Sequence, residues 1–449
     1  MINGIGKRVY ILGIGGISLS AIAKILRAEG HVVFGYDKTC SKITQQLQSC
    51  GIEVFYDLRF EDCETVIYTS AIDDNIPLLN QYKNYGVDVK TRAKALKLIA
   101  DSFKTVVAVS GSHGKTTTTA MINNILLSSG ANFTSHVGGE MADSGENCCI
   151  RGKDIFLTEA CEYKRNFLEL LPNISVVLNL DLDHTDCYPK ESDLIDSFKN
   201  FIDNTKDAVV INKDDNRTKT LLAKLSKSKK VVLFSLKDET CEYFAEYKYI
   251  KNVGFEVYVK HYGECVGSFI FKLSGEHNIY NVLAASVVSF LLGFSENDIY
   301  KGLIEFCGVR RRFEQIGFIN GARVVLDYAH HPREIEKVIQ QAKSFAEGKV
   351  YVVFQPHTYS RTKAFWGDFI KSLGKADSVV LYPIYPAREK PILGVTSERM
   401  AEDLRRMKKV CYYNNSFSEI KTYLSYFLKN NDIVLIVGAG DIENFRNFL

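Results

Sequence analysis

The chain has 449 residues, room for about three domains at roughly 150 residues each. Hydrophobic residues make up 46% and charged residues 24%, an ordinary balance for a globular protein with several cores. A net charge of +3 shows no basic excess that would demand a nucleic-acid partner, and no apolar run approaches the ~18 residues of a membrane span. The eleven cysteines are scattered, odd in number and contain no C-x-x-C pair, which argues against a zinc ribbon and a dithiol redox site. Together with the lack of a signal peptide, this reads as reduced thiols in a cytoplasmic protein.

The elements begin with "RVYILGIGG", a buried strand running into glycines. "SLSAIAKILRAEG" follows with helical apolar spacing at Leu19, Ile22, Ile25 and Leu26, and stops at Gly30. "HVVFGYD" and "ETVIYTSAI" are the next strands. Strands alternating with helices predict a parallel sheet with right-handed crossovers. The glycines of "GIGGISLSA" open a helix, where amides can hold a phosphate. G-x-G-x-x-G would need glycine at Ser18, so the stretch fits a dinucleotide site imperfectly, even with Asp37 placed to meet a ribose. A nicotinamide site, another nucleotide diphosphate and a structural turn all stay open here.

A second run starts at "KTVVAVSGSHGKTTTTAMINNILLSSG", a strand, a glycine loop and a helix. The loop reads G-x-x-G-K-T, shorter than the common G-x-x-x-x-G-K-[ST], but its strand-to-helix setting is the one a phosphate loop requires. Lys115 supplies a point charge for phosphates, and Thr116 a hydroxyl of the kind that touches Mg²⁺. Glu159 closes the strand "DIFLTEA" and His184 closes "VVLNLDLDH"; both are candidate metal ligands at the sheet edge that carries the loop. "CEYFAEYKYIKNVGFEVYVKHYGECVGSFIFKLSG" alternates with period two and predicts antiparallel hairpins beside the sheet. A third alternating run includes "ARVVLDYA", "KVYVVFQ", "ADSVVLYP" and "DIVLIVGAG". The expected division is 1–102, 103–312 and 313–449, all α/β.

"GIGGISLSAIA", "GSHGKTTTT", "EACEYKRNFL", "DLDHTDCY", "GEHNIYN", "GVRRRFE", "DYAHHPREI", "FQPHTYSRT" and "GAGDI" occur in this order. In these motifs the chain resembles the Mur ligases of peptidoglycan synthesis over essentially its whole length, and among them the alanine-adding branch. The resemblance implies a Rossmann-like N-terminal domain for a UDP sugar. A central P-loop ATPase-type parallel sheet with accessory β-hairpins would take ATP, and a Rossmann-like C-terminal domain the amino acid. It implies that ATP phosphorylates the lactyl carboxylate of UDP-N-acetylmuramate and that L-alanine attacks the acyl phosphate, with Mg²⁺ as metal. A monomer or weak homodimer in the cytoplasm, with no nucleic acid and no membrane partner, goes with it. The alternatives are a sister ligase attaching a peptide to the same sugar nucleotide and, more remotely, a nicotinamide-dependent oxidoreductase.

Carried over residue by residue, the resemblance places Lys115, Glu159 and His184 in catalysis, with Thr116, Glu159 and His184 on the metal. Gly111, Ser112, His113, Gly114, Lys115, Thr116 and Thr117 would hold ATP phosphates, Arg312 would reach them, Asn281 would face adenine and Asp327 the ribose. Gly15, Gly16, Ile17, Ser18 and Ser70 would bind the UDP sugar. Tyr328, His330 and Arg361 would line the alanine site, Arg361 gripping the carboxylate. Thr358 stands where some members have a second arginine, and Lys199 lies near the spacing of a carbamylated lysine in sister ligases.

Overall fold

Valine- and isoleucine-rich strands dominate because helices cover both faces of the central strands. Ile433–Val437 (IVLIV) and Val350–Phe354 (VYVVF) are buried at every position. By contrast Gly254–His261 (GFEVYVKH) alternates buried and half-buried side chains, the period-two pattern of a sheet with one covered face. The computed structural model describes residues 1–449 except 70, 71, 73–75, 183–186, 251, 252, 273, 274 and 388. Ser70 and His184 therefore lie outside the described residues.

The described residues form three sheets. The first contains β1 (Arg8–Leu12), β2 (Val32–Tyr36), β3 (Glu53–Phe55), β4 (Thr65–Tyr68) and β5 (Asp88–Thr91) in the order β3-β2-β1-β4-β5. All its pairs are parallel. The strand order reverses between β1 and β4, so the glycines after β1 lie at the switch point, where open α/β sheets bind ligands.

The second sheet contains β6 (Thr105–Ser110), β7 (Phe133–His136), β8 (Cys148–Ile150), β9 (Ile155–Glu159), β10 (Ile174–Val177), β11 (Ala208–Asn212), β12 (Val231–Ser235), β13 (Tyr243–Ile250), β14 (Gly254–His261) and β15 (Glu264–Phe271). Its order is β15-β14-β13-β12-β11-β10-β6-β9-β7-β8. β13, β14 and β15 form the antiparallel extension expected from the alternating stretch. Here the order reverses between β6 and β10, so the loop after β6 occupies this sheet's switch point.

The third sheet contains β16 (Glu314–Ile319), β17 (Ala322–Asp327), β18 (Val350–Phe354), β19 (Ser378–Leu381), β20 (Val410–Tyr413) and β21 (Ile433–Val437), in the order β16-β17-β21-β18-β19-β20. It is parallel apart from the β16–β17 hairpin. The chain divides into two compact units, Met1–Gly308 with the first two sheets and Val309–Leu449 with the third.

Within the first unit the two sheets share a buried cluster. Leu96, Ile99 and Phe103 pack in it with Phe156, Phe167 and Phe198, and the Phe103 and Phe156 rings lie 5.0 Å apart. The helix that follows β6, Lys115–Ser128, is fixed at a close crossing. Asn124 Nδ2 donates to the Gly302 carbonyl at 2.7 Å, and a Cβ on Gly302 would stand 2.4 Å from Ile125 Cα. A small residue is required there for the two backbones to meet. Among the described residues no helix is long and apolar enough to cross a membrane, and all eleven cysteines are free thiols.

Candidate active site

The glycine loop expected to hold phosphate runs from Gly111 to Gly114 between β6 and the helix Lys115–Ser128. Gly111 has φ +135° and Gly114 +83°, both in the region that favours glycine. Gly114 is constrained twice, because a Cβ there would also lie 2.5 Å from Asn281 Oδ1. Asn281, expected at adenine, is buried at the base of this loop and donates to Asn278 Oδ1 at 3.0 Å. Gly114→Ala is therefore expected to weaken ADP binding about tenfold or more and to lower thermal stability, since a left-handed residue with a side chain costs ~1–2 kcal/mol before any clash. Calorimetry showing unchanged ADP affinity would remove the loop from the nucleotide site.

Two amides of the loop are already engaged. Ser112 N donates to the Asn179 carbonyl at 3.1 Å, and His113 N to Asn179 Oδ1 at 2.8 Å. The Ser112 hydroxyl donates to the Asp181 carbonyl at 2.9 Å and accepts from Asp181 N at 2.7 Å. Ser112 and His113 thus strap the loop to the segment after β10. The amides opening the helix, at Lys115, Thr116 and Thr117, have no helical carbonyl before them and are placed to face an anion. Thr118 and Thr119 are fully buried in the helix.

Lys115 Nζ is held by Glu162, at 3.1 Å from Oε1 and 2.9 Å from Oε2, and it donates to the Gly111 and Ser112 carbonyls. Burial works against its charge, but Glu162 more than offsets this and raises the ammonium above its ordinary range. Glu162 was not singled out from the sequence. The signal is faint: an acid three residues past Glu159, off the end of a strand. Its side chain is only 3% exposed, and it is the counter-charge that keeps a buried lysine ionised.

Glu159 ends β9 and pairs in register with Val109 of β6, beside the start of the loop. Its Oε1 accepts from Gly138 N at 2.6 Å. Thr116 is buried in the first helical turn. A hydroxyl and a carboxylate are hard oxygen donors of the kind Mg²⁺ takes, so these residues fit the expected metal. Lys199 forms an i,i+4 ion pair with Asp203 at 2.5 Å, which engages its amine as an ammonium.

The N-terminal glycines are largely committed to their own turn. Gly15 N donates to Asp37 Oδ2 at 2.9 Å, and Gly16 N to the Gly13 carbonyl at 3.0 Å. Asp37 thus closes the turn, a use the dinucleotide reading did not foresee. Ile17 and Ser18 open the helix Ile17–Ala28, and their backbone amides remain. The Ser18 side chain turns away to His136 Nε2 at 2.8 Å, and Arg92 Nη1 donates to it at 3.2 Å. Burial, with Arg92 nearby, pushes His136 down to about 3, so the ring is neutral. Neither Arg92 nor His136 carries a sequence pattern that marks it.

In the second unit, Tyr328 and His330 follow β17, and Arg361 lies in the helix Tyr359–Ala364 after β18. The Tyr328 and His330 rings are 5.2 Å apart, and those of His330 and His357 5.9 Å. Burial lowers His330 below the usual imidazole range and pushes His357 to about 4, with His330 and Arg361 adding to the latter. Arg361 Nη1 and His357 Nδ1 are buried and meet no partner among the described residues. A buried guanidinium donor without an acceptor is costly unless a ligand supplies one. The sequence missed His357 as part of this cluster.

Arg312 and Asp327 also belong to the second unit. Arg312 lies over the Tyr328 ring at 5.8 Å, while Arg311 lies at 4.7 Å and donates to the Gly438 and Gly440 carbonyls. Asp327 is buried and accepts from Phe313 N and Ala329 N, both at 2.8 Å. It therefore ties the start of this unit to β17, whatever else its remaining lone pairs meet. Asp327→Ala is expected to destabilise the unit by about 2–4 kcal/mol through two stranded amides, measurable by urea unfolding. An unchanged midpoint would contradict that structural role.

Three family models match the chain. They are the Mur ligase family catalytic domain over residues 8–104, the Mur ligase middle domain over 109–289 and the Mur ligase glutamate ligase domain over 311–440. The UDP-N-acetylmuramate–L-alanine ligase of Caldicellulosiruptor saccharolyticus is 38% identical over 452 aligned residues, covering 97% of each chain. A crystal structure of UDP-N-acetylmuramate–alanine ligase from Thermotoga maritima superposes with a TM-score of 0.81 at 28% identity, covering 98% of each chain. A murein peptide ligase from Psychrobacter arcticus shares the fold, with a TM-score of 0.70 at 22% identity over 99% of this chain and 97% of that one.

Proposed function

The chain belongs to the Mur ligase family, and we propose that it joins L-alanine to the lactyl carboxylate of UDP-N-acetylmuramate with cleavage of ATP to ADP and phosphate. The observation that carries this reading is the short phosphate loop at a sheet switch point with Glu159 on the adjacent strand. The relatives at 38% identity favour alanine over a peptide as acceptor. They leave the nicotinamide reading without support.

In this reading residues 1–102 take the UDP sugar, 103–312 ATP and 313–449 the amino acid. The Ile17 and Ser18 amides face the diphosphate. The amides opening the helix at Lys115, together with the Lys115 ammonium, hold the β- and γ-phosphates. Thr116 and Glu159, with His184, would hold Mg²⁺, which would supply positive charge to the transferring phosphoryl group. A carboxylate is inert to amines, so a lactyl carboxylate oxygen first attacks the γ-phosphorus and ADP leaves. The uncharged amine of alanine then attacks the acyl carbon, phosphate departs and the nitrogen loses its extra proton. Lys115 offsets charge on the transferring group, and Arg361 receives the alanine carboxylate. The chain works in the cytoplasm, as a monomer or weak homodimer.

The test is ATP-dependent phosphate release with UDP-N-acetylmuramate against L-alanine, glycine, L-serine and a cell-wall tripeptide. Release is expected with L-alanine foremost. Preference for the tripeptide would move the chain to the peptide-adding branch, and no release with any acceptor would sink the proposal.

A further inference from the structure

His136 ends β7 and is 2% exposed, yet both of its ring nitrogens are bonded. Nε2 lies 2.8 Å from Ser18 Oγ, and Nδ1 3.0 Å from Thr158 Oγ1. The directions follow from chemistry. The Thr158 hydroxyl has one proton and gives it to the Glu159 carbonyl at 3.1 Å, so its oxygen accepts from Nδ1–H. The bare Nε2 accepts from the Ser18 hydroxyl, whose oxygen itself accepts from Arg92 at 3.2 Å. A single consistent chain of hydrogen bonds thus crosses from the first sheet's helices to the end of β9.

Other contacts hold the same seam. Asn147 Nδ2 donates to the Ile17 carbonyl and to Ser20 Oγ, and Lys24 pairs with Glu146. These fasten the helix Ile17–Ala28 to the turn just before β8. The His136 chain is different in kind, because it ends on the backbone of Glu159 itself.

Resting on the function proposed above, we propose that His136 is a positioning residue for ligation. Its ring, in the Nδ1–H tautomer, ties the sugar-nucleotide loop at Ser18 to the strand end that carries Glu159. The loop and the carboxylate are thereby held at a set separation, so that the lactyl carboxylate arrives in line with the phosphate. Positioning matters here because small misplacements of reacting groups cost large factors in rate.

Two substitutions split the bridge. Asparagine places its amide near Nδ1 and keeps the Thr158 end; glutamine reaches Nε2 and keeps the Ser18 end. His136→Asn is expected to weaken UDP-N-acetylmuramate binding about tenfold, measured by calorimetry without ATP or Mg²⁺. His136→Gln is expected to hold that affinity within about threefold while kcat falls about tenfold, and Thr158→Val, of nearly equal volume, to behave like His136→Gln. A residue with a merely structural role would lower thermal stability in both His136 variants and leave no such split. Equal effects of asparagine and glutamine on affinity and kcat, or wild-type values for both, would overturn the bridge. A wild-type chain that bound no UDP-N-acetylmuramate would instead overturn the functional reading beneath it.

Discussion

Lys115→Ala is expected to lower turnover by roughly 10³-fold while leaving UDP-N-acetylmuramate affinity nearly intact. In the proposed reaction the ammonium, at the head of the helix after β6, meets the charge that develops on the transferring phosphoryl group. The loop proposed for the sugar nucleotide lies on another sheet of the same unit, so its affinity is a built-in control. Removing the lysine also takes this counter-charge from the Glu162 carboxylate, which is almost wholly buried, and breaking such a pair costs about 3–5 kcal/mol. The double variant Lys115→Ala, Glu162→Gln should therefore regain thermal stability without regaining turnover. If the single variant ligated at the wild-type rate, the phosphate-loop assignment would fail. If the double variant recovered activity, the lysine's role would be structural.

Arg361→Ala is expected to raise the KM for L-alanine about 30- to 100-fold and to change the KM for ATP by no more than about threefold. The basis is the buried Nη1 of Arg361, which meets no acceptor among the described residues, in a cluster with His330 and His357. With both imidazoles lowered by burial, Arg361, close enough to act on both rings, is a cation that can answer a carboxylate there. Arg361→Lys should recover only part of the loss, because an ammonium cannot reproduce the planar two-pronged contact. Equal increases in both Michaelis constants would take Arg361 out of the alanine site.

Much of the site could be read from the chain because strand-to-helix glycine loops are local objects. Gly111, Gly114, Lys115 and Thr116 stand within a few residues of one another, and their spacing alone places them on one turn. Glu159 could be found because it terminates an apolar strand, and strand ends gather at one edge of a parallel sheet. Glu162, Asn179, Arg92, His136 and His357 could not be found in that way. Each acts through a partner far along the chain, such as Lys115 with Glu162 or Ser18 with His136. The roles of Ser112, Ser18 and Asp37 also changed. Each has the polar group expected of a ligand contact, but its side chain is engaged within the protein.

By itself the sequence determined three α/β sheets, the antiparallel extension of the second, and the family's ordered motifs. Those properties follow from hydrophobic period, glycine placement and short-range chemistry, which are written along the chain. Only the tertiary structure decided which amides of the two glycine loops are left to face an anion, which carboxylate keeps Lys115 charged, and how the first sheet is tied to the strand carrying Glu159. Those depend on side chains meeting across distant segments in a low-dielectric interior, where one buried partner decides whether a polar group is spent on the fold or kept for a ligand.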